Sequence, residues 1–406
     1  MAAVTSRCVA VAFGCILGFA ATSAIFLILA VDLSHRVKVK TDPVAMNVPH
    51  WASIEPSNIH SPPSKDVIVR SVYLDNRPRR GHRNASVFML EARRTILERH
   101  LITGCSVGGL HPARFKVRPL LQNPVSLSNQ PNLTHFLAMV DCYDLAVGNG
   151  SNASIRYVTA GRDSAPITAW SERPLIIPQQ YQRAGVHGIP KIVVCVIVFD
   201  KPPFLNEWLL YQKTIGVDHI YMTAEDSFVK AGGFENAYLR QLVKEGFVSF
   251  EVWKQWLNHS EVRYHSQALV YQDCVYRLRG AYDYAFVLDH DDFFIPRVPG
   301  KNKIHYYIEN WCKNSGSCEF KWTEFYPDCG MENKLTRDGN VTNLLTSTAH
   351  LKRSERKSLH NLLATLDVGV HIVHTLIHGY KRDLVPENIA YVAHIRVHKM
   401  PPDGKC

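Results

Sequence analysis

One stretch of the chain, residues 284–297, constrains the fold most. Its first five residues are apolar, which is typical of a strand covered on both faces of a sheet. Asp289, Asp291 and Asp292 follow within four positions. Neighbouring carboxylates repel one another at neutral pH, and a divalent cation among them makes the arrangement favourable. We therefore predict a metal site at the carboxyl end of a buried strand. Asp289 and Asp291 share one face of it if the extended conformation continues. A solvated acidic turn is the alternative.

The residues before this motif alternate between strand and helix patterns. The order is strand 192–199, helix 205–214, strand 219–223, helix 234–244, strand 247–252 and helix 262–278. Such alternation predicts an α/β fold with a mostly parallel sheet, whose carboxyl edge forms the cleft. Neither a Gly-x-Gly-x-x-Gly loop nor a Walker loop is present. A metal holding a diphosphate is the remaining way to bind a nucleotide.

The amino-terminal region predicts a membrane anchor. Residues 8–31 carry no charge and are long enough to cross a bilayer as one helix, and a secretory signal peptide is the alternative. Residues 1–7 would then be a cytoplasmic tail and the proline-containing stretch 32–65 a stem. Short β-like segments predict a small β-rich domain at 66–185, followed by a catalytic domain at 186–406. Basic residues lie on both sides of the span and do not decide its orientation.

Sequons and cysteines indicate that the body of the chain lies in the secretory pathway. Eight of the ten cysteines lie beyond the span, an even number that suits disulfides, although a buried free thiol is the alternative for Cys195. The six Asn-x-Ser/Thr sequons are at Asn84, Asn132, Asn149, Asn152, Asn258 and Asn340. The net charge of +10 favours anionic partners, but no nucleic-acid module is present and we predict no nucleic-acid binding.

Several motifs occur together along the chain. They are Asn206-Glu207-Trp208-Leu209, the segment 216–221, Gln267, Cys274 and the segment 286–293, with Tyr73-Leu74-Asp75-Asn76-Arg77 before them and Lys357-Ser358, His371 and His394 after them. Their order and spacing resemble glycosyltransferase family 92, which includes animal β1,4-galactosyltransferases acting on glycans. Asp292 stands where that family more often has Glu, and His290 where a small or aliphatic residue is usual.

The resemblance implies a type II, single-pass Golgi membrane enzyme with a lumenal, GT-A-like catalytic domain. It further implies UDP-galactose as donor, a divalent metal such as Mn²⁺, and inversion of the anomeric centre. The acceptor would be a galactose- or fucose-ended glycan on a glycoprotein or glycolipid. Two alternatives remain open: a transferase for another nucleotide sugar, and a non-catalytic glycan-binding protein of the same fold.

The candidate ligands of the metal are Asp289 and Asp291. Because Mn²⁺ also accepts imidazole, His394 or His371 is a candidate for completing the set, although either one could be a surface or core histidine. Asp292 would orient a ligand or bind the sugar.

Inverting transfer also needs a general base on the acceptor hydroxyl. We predict Glu324 for this role, with Asp328 as the second choice, because a further strand would return them to the cleft. Glu225 and Asp226 are candidates for contacting the nucleotide, and Lys357 for contacting the diphosphate or lying on a solvated face.

Overall fold

The computed structural model describes residues 66–75, 85–93, 97, 102–107, 114–120, 133–143, 152–159, 162–163, 167–170, 189–200, 202, 204–253, 266–327 and 348–395. All of them belong to one unit, Glu55–Cys406. The predicted span at 8–31, the stem at 32–65, Asp328 and five of the six sequons lie outside the described residues. No described helix is long and apolar enough to cross a membrane.

The first part of the chain consists of strands. They are β1 (Val67–Asp75), β2 (Ala85–Arg93), β3 (Ile102–Val107), β4 (Phe115–Pro119), β5 (His135–Tyr143), β6 (Asn152–Thr159), β7 (Arg162–Asp163) and β8 (Ile167–Trp170). In the described residues β1, β2, β5 and β4 form one antiparallel sheet, and β3, β6, β7 and β8 form a second. The boundary between a β-rich and a catalytic domain stays a prediction.

The second part mixes strands and helices. Its strands are β9 (Ile192–Val198), β10 (His219–Glu225), β11 (Val248–Trp253), β12 (Tyr284–Val287), β13 (Asp292–Pro296), β14 (Ser317–Pro327), β15 (Thr348–Asn361), β16 (Thr365–Val368), β17 (Val373–Leu376), β18 (Arg382–Val385) and β19 (Ala390–Ile395). Its α-helices are α1 (Leu205–Ile215), α2 (Asp226–Lys230), α3 (Ala237–Lys244), α4 (Gln267–Leu278) and α5 (Ile304–Tyr307). A 3₁₀ turn covers Gly233–Glu235 and a π turn covers Ile308–Cys312.

The described strands of this part include a nine-stranded sheet in the order β11-β10-β9-β12-β15-β14-β19-β13, with β18 also paired to β14. β11, β10, β9 and β12 are parallel, as predicted. The remaining strands make the sheet mixed, because β15 is antiparallel to both of its neighbours and β13 is antiparallel to β19. The first four strands are separated by long connections with helices, which parallel pairing of neighbours requires, whereas β14 pairs parallel with β18 and β19 but antiparallel with β15. The prediction of a mostly parallel sheet therefore holds for this half alone.

The sheet is curled. β12 and β13 stand far apart in the strand order, yet only residues 288–291 join them along the chain. Neighbouring strands are about 4.8 Å apart, so a flat sheet would separate these two by more than a short turn can span. Curling brings β14, β15 and β19 around the turn between β12 and β13.

The alternation of side chains along β9 explains how the layers form. Ile192, Val194, Val196 and Val198 pack with α1 and α3 on one face of the sheet, and Val193, Cys195 and Ile197 pack with α4 on the other. The strand is buried throughout, as its continuous apolar run predicted. Residues of β2 and β5 pack against the far side of α4, so this helix is covered from two sides.

Disulfides link several of these elements. The described residues form Cys105–Cys142, Cys195–Cys274 and Cys312–Cys318. The second bond ties β9 to α4, so the alternative of a free thiol at Cys195 is wrong. The third closes a short local loop, because Cys312 and Cys318 are six positions apart. Cys329 and Cys406 lie outside the described residues.

Candidate metal and catalytic site

The acidic motif forms a tight turn instead of a continued strand. β12 ends at Val287, and the amide of Asp292 donates to the carbonyl of Asp289 at 3.0 Å, which closes the turn. The expectation that Asp289 and Asp291 share a strand face is therefore wrong. The turn itself brings the acidic side chains together, because it reverses the chain within four residues.

Asp292 is the buried centre of the site, with no exposed surface. Its Oδ1 accepts from Trp322 Nε1 at 2.9 Å and from His394 Nδ1 at 2.7 Å. Its Oδ2 accepts from the amide of Asp289 at 2.8 Å and lies 2.9 Å from Lys357 Nζ. Burial alone would raise the pKa of Asp292, but Lys357 and His394 hold it well below its usual range. Both oxygens are therefore engaged by protein donors, and Asp292 is an internal anion.

Lys357 lies beneath the acidic turn with no exposed surface. Its ammonium is 2.7 Å from Asp289 Oδ2 in addition to its contact with Asp292. Burial would lower the pKa of Lys357, but the two carboxylates raise it above its usual value. The alternative of a solvated face is therefore wrong for this residue. Arg356, the residue before it, does reach solvent and pairs with Glu319 at 2.6 Å.

Asp289 is fixed from two further directions. Its Oδ1 accepts from Gln267 Nε2 at 2.8 Å and from the Tyr271 hydroxyl at 2.9 Å, both on α4. Burial raises the pKa of Asp289, but Lys357 opposes this and leaves it below its usual value. The carboxylate is thus ionised and oriented, and about a fifth of the side chain remains exposed.

Asp291 is the carboxylate with unmet bonding capacity. Its Oδ1 is buried and has no hydrogen-bond partner among the described residues, although His394 Nδ1 lies 3.3 Å away. Burial raises the pKa of Asp291 in spite of the nearby histidine. A buried carboxylate oxygen without a donor is costly unless a cation binds it.

His394 connects these carboxylates. It is buried on β19 and its ring lies 4.5 Å from that of Trp322. An ionised carboxylate can only accept, so Nδ1 is the donor in the 2.7 Å contact with Asp292, and in the neutral ring Nε2 is the nitrogen that can bind a metal. This pairing of a metal-binding imidazole with a second carboxylate recurs in metal sites.

The described residues thus contain one cluster whose ligand atoms suit a metal. Asp289, Asp291, Asp292 and His394 each offer an atom within 4.8 Å of the others. Asp292 has no exposed surface and protein donors on both oxygens, so Asp291, His394 and the partly exposed Asp289 are the residues that would hold a cation. Oxygen and imidazole ligands are compatible with Mn²⁺ or Mg²⁺.

Sequence comparison identifies the family of the chain that carries this site. Residues 190–404, more than half of the chain, match the family model described as glycosyltransferase family 92. The chain belongs to glycosyltransferase family 92. A family 92 protein of Ricinus communis is 23% identical over 259 residues, which are 61% of this chain and 42% of the relative. The chain therefore spans less than half the length of that relative. A mycobacterial protein of known structure covers 48% of this chain and 60% of its own at 11% identity, with a TM-score of 0.24, too low to support an argument.

Within this family 92 chain, the other candidate ligand, His371, lies beside the cluster. It follows β16, and its ring meets the edge of Trp322 at a centroid distance of 5.7 Å. Burial and the nearby Lys357 lower its pKa, so the ring is neutral. His371 is not among the residues whose ligand atoms come together in the described part of the chain.

Of the two candidate bases, Glu324 lies within the described residues and Asp328 does not. Glu324 lies in β14, opposite His394 on β19, and is completely buried. Trp322, two residues earlier, faces the same side of the sheet. It donates a hydrogen bond to Asp292 and is a buried core residue. The role of each carboxylate stays a prediction.

The candidate nucleotide contacts lie at the carboxyl edge of the parallel strands. Glu225 is the buried last residue of β10, and its Oε2 accepts from Ser227 at 3.0 Å. Asp226 begins α2. The same edge holds Asp200, just after β9, whose amide donates to Ser227 at 3.1 Å.

Sequence reasoning missed how closely the surrounding residues hold the acidic turn. Gln267 and Trp208 were part of the family resemblance, but no role was assigned to either. Trp208 Nε1 donates to the carbonyl of Asp292 at 2.8 Å, which ties α1 to the turn. An apolar spacing that places Trp208 on the buried face of α1 could have indicated a contact with the sheet, although not its partner.

Proposed function

We propose that this family 92 chain is a metal-dependent, inverting glycosyltransferase that transfers galactose from UDP-galactose to a galactose- or fucose-ended glycan. The observation that carries the proposal is the unpartnered Oδ1 of Asp291, in a cluster with Asp289 and His394. A diphosphate leaving group gains charge as the glycosidic bond breaks. A divalent cation at this site would supply Lewis-acid neutralisation of that charge.

The residues around the cation site act by orientation. Asp289 is fixed by Gln267 and Tyr271, and His394 by Asp292, so these ligands need little rearrangement to bind. Glu225 and Asp226 lie at the sheet edge where nucleotides bind in open α/β folds, which supports their proposed contact with UDP. The parallel half of the sheet supports a GT-A-like arrangement in the same way.

We also propose that the protein is a Golgi type II membrane protein with a lumenal catalytic domain. The uncharged residues 8–31 support the anchor, and the sequons support exposure to the glycosylation machinery. The disulfides support an oxidising compartment.

The test is a donor screen on the purified full-length chain. UDP release and product formation are measured with UDP-galactose and other nucleotide sugars, in Mn²⁺ and in chelator, with galactose- and fucose-ended acceptors. We expect transfer from UDP-galactose that requires the metal. Asp291→Asn should lower the rate by at least roughly 100-fold, because it removes a ligand of the charge-neutralising cation. Glu309→Gln, which alters an exposed carboxylate, is the matched control.

Each component of the proposal has its own contrary result. Equal rates in Mn²⁺ and in chelator would remove the metal. Transfer of another sugar in place of galactose would overturn the donor assignment. Glycan binding without turnover of any donor would favour the non-catalytic alternative and overturn the enzymatic proposal.

A further inference from the structure

Glu207 is a carboxylate on α1, the helix that is hydrogen-bonded to the acidic turn through Trp208. Sequence analysis gave Glu207 no role. It lies in the first turn of α1, directly after β9 in the chain, and therefore at the carboxyl edge of the sheet. The residue is half-buried. Its Oε2 is buried and has no hydrogen-bond partner among the described residues. Such an oxygen is costly unless a donor reaches it, and an acceptor hydroxyl is a donor of the right kind.

Two contacts fix the position of Glu207 relative to the turn. Trp208 Nε1 donates to the carbonyl of Asp292 at 2.8 Å, and the Tyr211 hydroxyl donates to the carbonyl of Phe294 at 2.5 Å. α1 and β13 therefore run side by side in the same direction. Glu207 precedes Tyr211 by one helical turn on the same side of the helix. Because helical side chains lean toward the amino terminus, the side chain of Glu207 leaves α1 toward the end of β13 at which the acidic turn lies.

We infer that Glu207 is the general base of the transfer reaction, acting on the acceptor hydroxyl. The inference rests on the proposed function and names a catalytic residue for it. In this step the hydroxyl oxygen of the glycan forms a bond to the anomeric carbon of the nucleotide sugar. The bond from that carbon to the diphosphate oxygen breaks, and its electron pair leaves with UDP. The hydroxyl proton passes to the carboxylate of Glu207.

The surroundings of Glu207 suit a base. Burial raises its pKa to about 7, whereas an ordinary glutamate stays fully ionised at neutral pH and is a weak base. Asp292 and Asp289 are held ionised by Lys357 and cannot take up a proton readily. Glu324, the base predicted from sequence, has no exposed surface, whereas Glu207 keeps access to solvent and hence to an acceptor.

The test compares Glu207→Gln and Glu207→Asp with the wild-type chain, with Glu324→Gln as the rival base and Glu309→Gln as control. The rate constant for transfer, the affinity for UDP in Mn²⁺ and the thermal midpoint are measured for each full-length variant. We expect Glu207→Gln to lower kcat by about 10²- to 10⁴-fold. Its UDP affinity should stay within about threefold of wild type and its midpoint should not fall, which a purely structural role would not produce. Glu207→Asp retains a carboxylate that is shorter by one methylene, so partial activity with normal UDP affinity is expected.

The contrary outcomes are distinct. If Glu207→Gln transfers like wild type while Glu324→Gln does not, the inference is overturned and the proposed function stands. Parallel losses of transfer, UDP affinity and thermal midpoint in both Glu207 variants would make the residue structural, and the assignment would be wrong. Absence of transfer by the wild-type chain itself would overturn the proposed function together with this inference.

Discussion

Replacing Asp292 by asparagine should destabilise the protein strongly, whereas the same change at Asp291 should not. Asp292 accepts four hydrogen bonds or ion-pair contacts at 2.7–2.9 Å, two on each oxygen. An asparagine amide offers one oxygen, and its NH₂ group cannot accept. Two of the four donors therefore lose their acceptor whichever way the amide is oriented.

The size of the effect follows from burial. Each buried donor left without an acceptor costs about 1–3 kcal/mol, and breaking a buried ion pair from one side costs about 3–5 kcal/mol. We therefore expect Asp292→Asn to lower the free energy of unfolding by about 3–5 kcal/mol. Asp291→Asn removes a charge that burial disfavours and that has an unpartnered oxygen, so the metal-free protein should be equally stable or more stable.

Urea unfolding of the full-length chain in chelator, followed by tryptophan fluorescence, measures the difference. Trp208 and Trp322 both contact Asp292, so the signal reports on the site. Repeating the titration with Mn²⁺ adds a second comparison, because a ligand that binds only the folded state stabilises it. Wild type should gain stability from the metal and Asp291→Asn should not. Equal losses in the two variants, or no loss in Asp292→Asn, would refute the account of Asp292 as an internal anion.

Two further predictions concern buried cations and acid stability. Lys357→Met should lower the free energy of unfolding by about 3–5 kcal/mol, because it leaves two carboxylates uncompensated. Lys213→Met, at an exposed pair with Glu245, should cost less than about 1 kcal/mol in the same urea assay, and similar losses in the two variants would contradict the burial of Lys357. His360 is fully buried, and burial lowers its pKa to about 3 from an ordinary value of 6.5, so the unfolded chain binds a proton first and stability should fall as pH drops from about 6.5 toward 3. His360→Leu should flatten that dependence in thermal unfolding at stepped pH, and an unchanged slope would show that other groups cause the acid lability.

The parallel half of the sheet was predictable from the sequence because local patterns specify it. β9 is a buried apolar run, β9, β10 and β11 alternate with helices, and the crossover rule then orders them. The mixed half of the sheet was not predictable in this way. β14 carries a bulge between Lys321 and Thr323 and changes partner from β18 to β19 along its length. Pairing of that kind depends on strands far apart in sequence and leaves no periodic signal in any one of them.

The same distinction between local and long-range features applies to the candidate site. Asp289, Asp291 and His394 were predicted as ligands and do come together in the structure. Lys357 was left open between contacting the diphosphate and lying on a solvated face, and its full burial was not predicted, since lysine is almost never fully buried unless it is paired. Its partners are 65 or more positions away, and they meet it only because the sheet curls. Sequence chemistry identified the groups that carry charge, but the fold determines which charges cancel.

The balance of charges between the three carboxylates and Lys357 favours a divalent cation. Three carboxylates meet one lysine ammonium, and His394 donates to one of them from Nδ1. The carboxylates therefore outnumber the lysine by two in a largely buried location, which is unfavourable without a counter-ion. Lys357 satisfies Asp292 and one oxygen of Asp289, so the remaining negative charge lies toward Asp291. One divalent ion there would neutralise the cluster, and that same charge is what a departing diphosphate needs at its side. Lys357 thus reduces the excess of carboxylates to a number that one divalent ion can balance. Without its ammonium, the three carboxylates would exceed the charge of a single divalent ion.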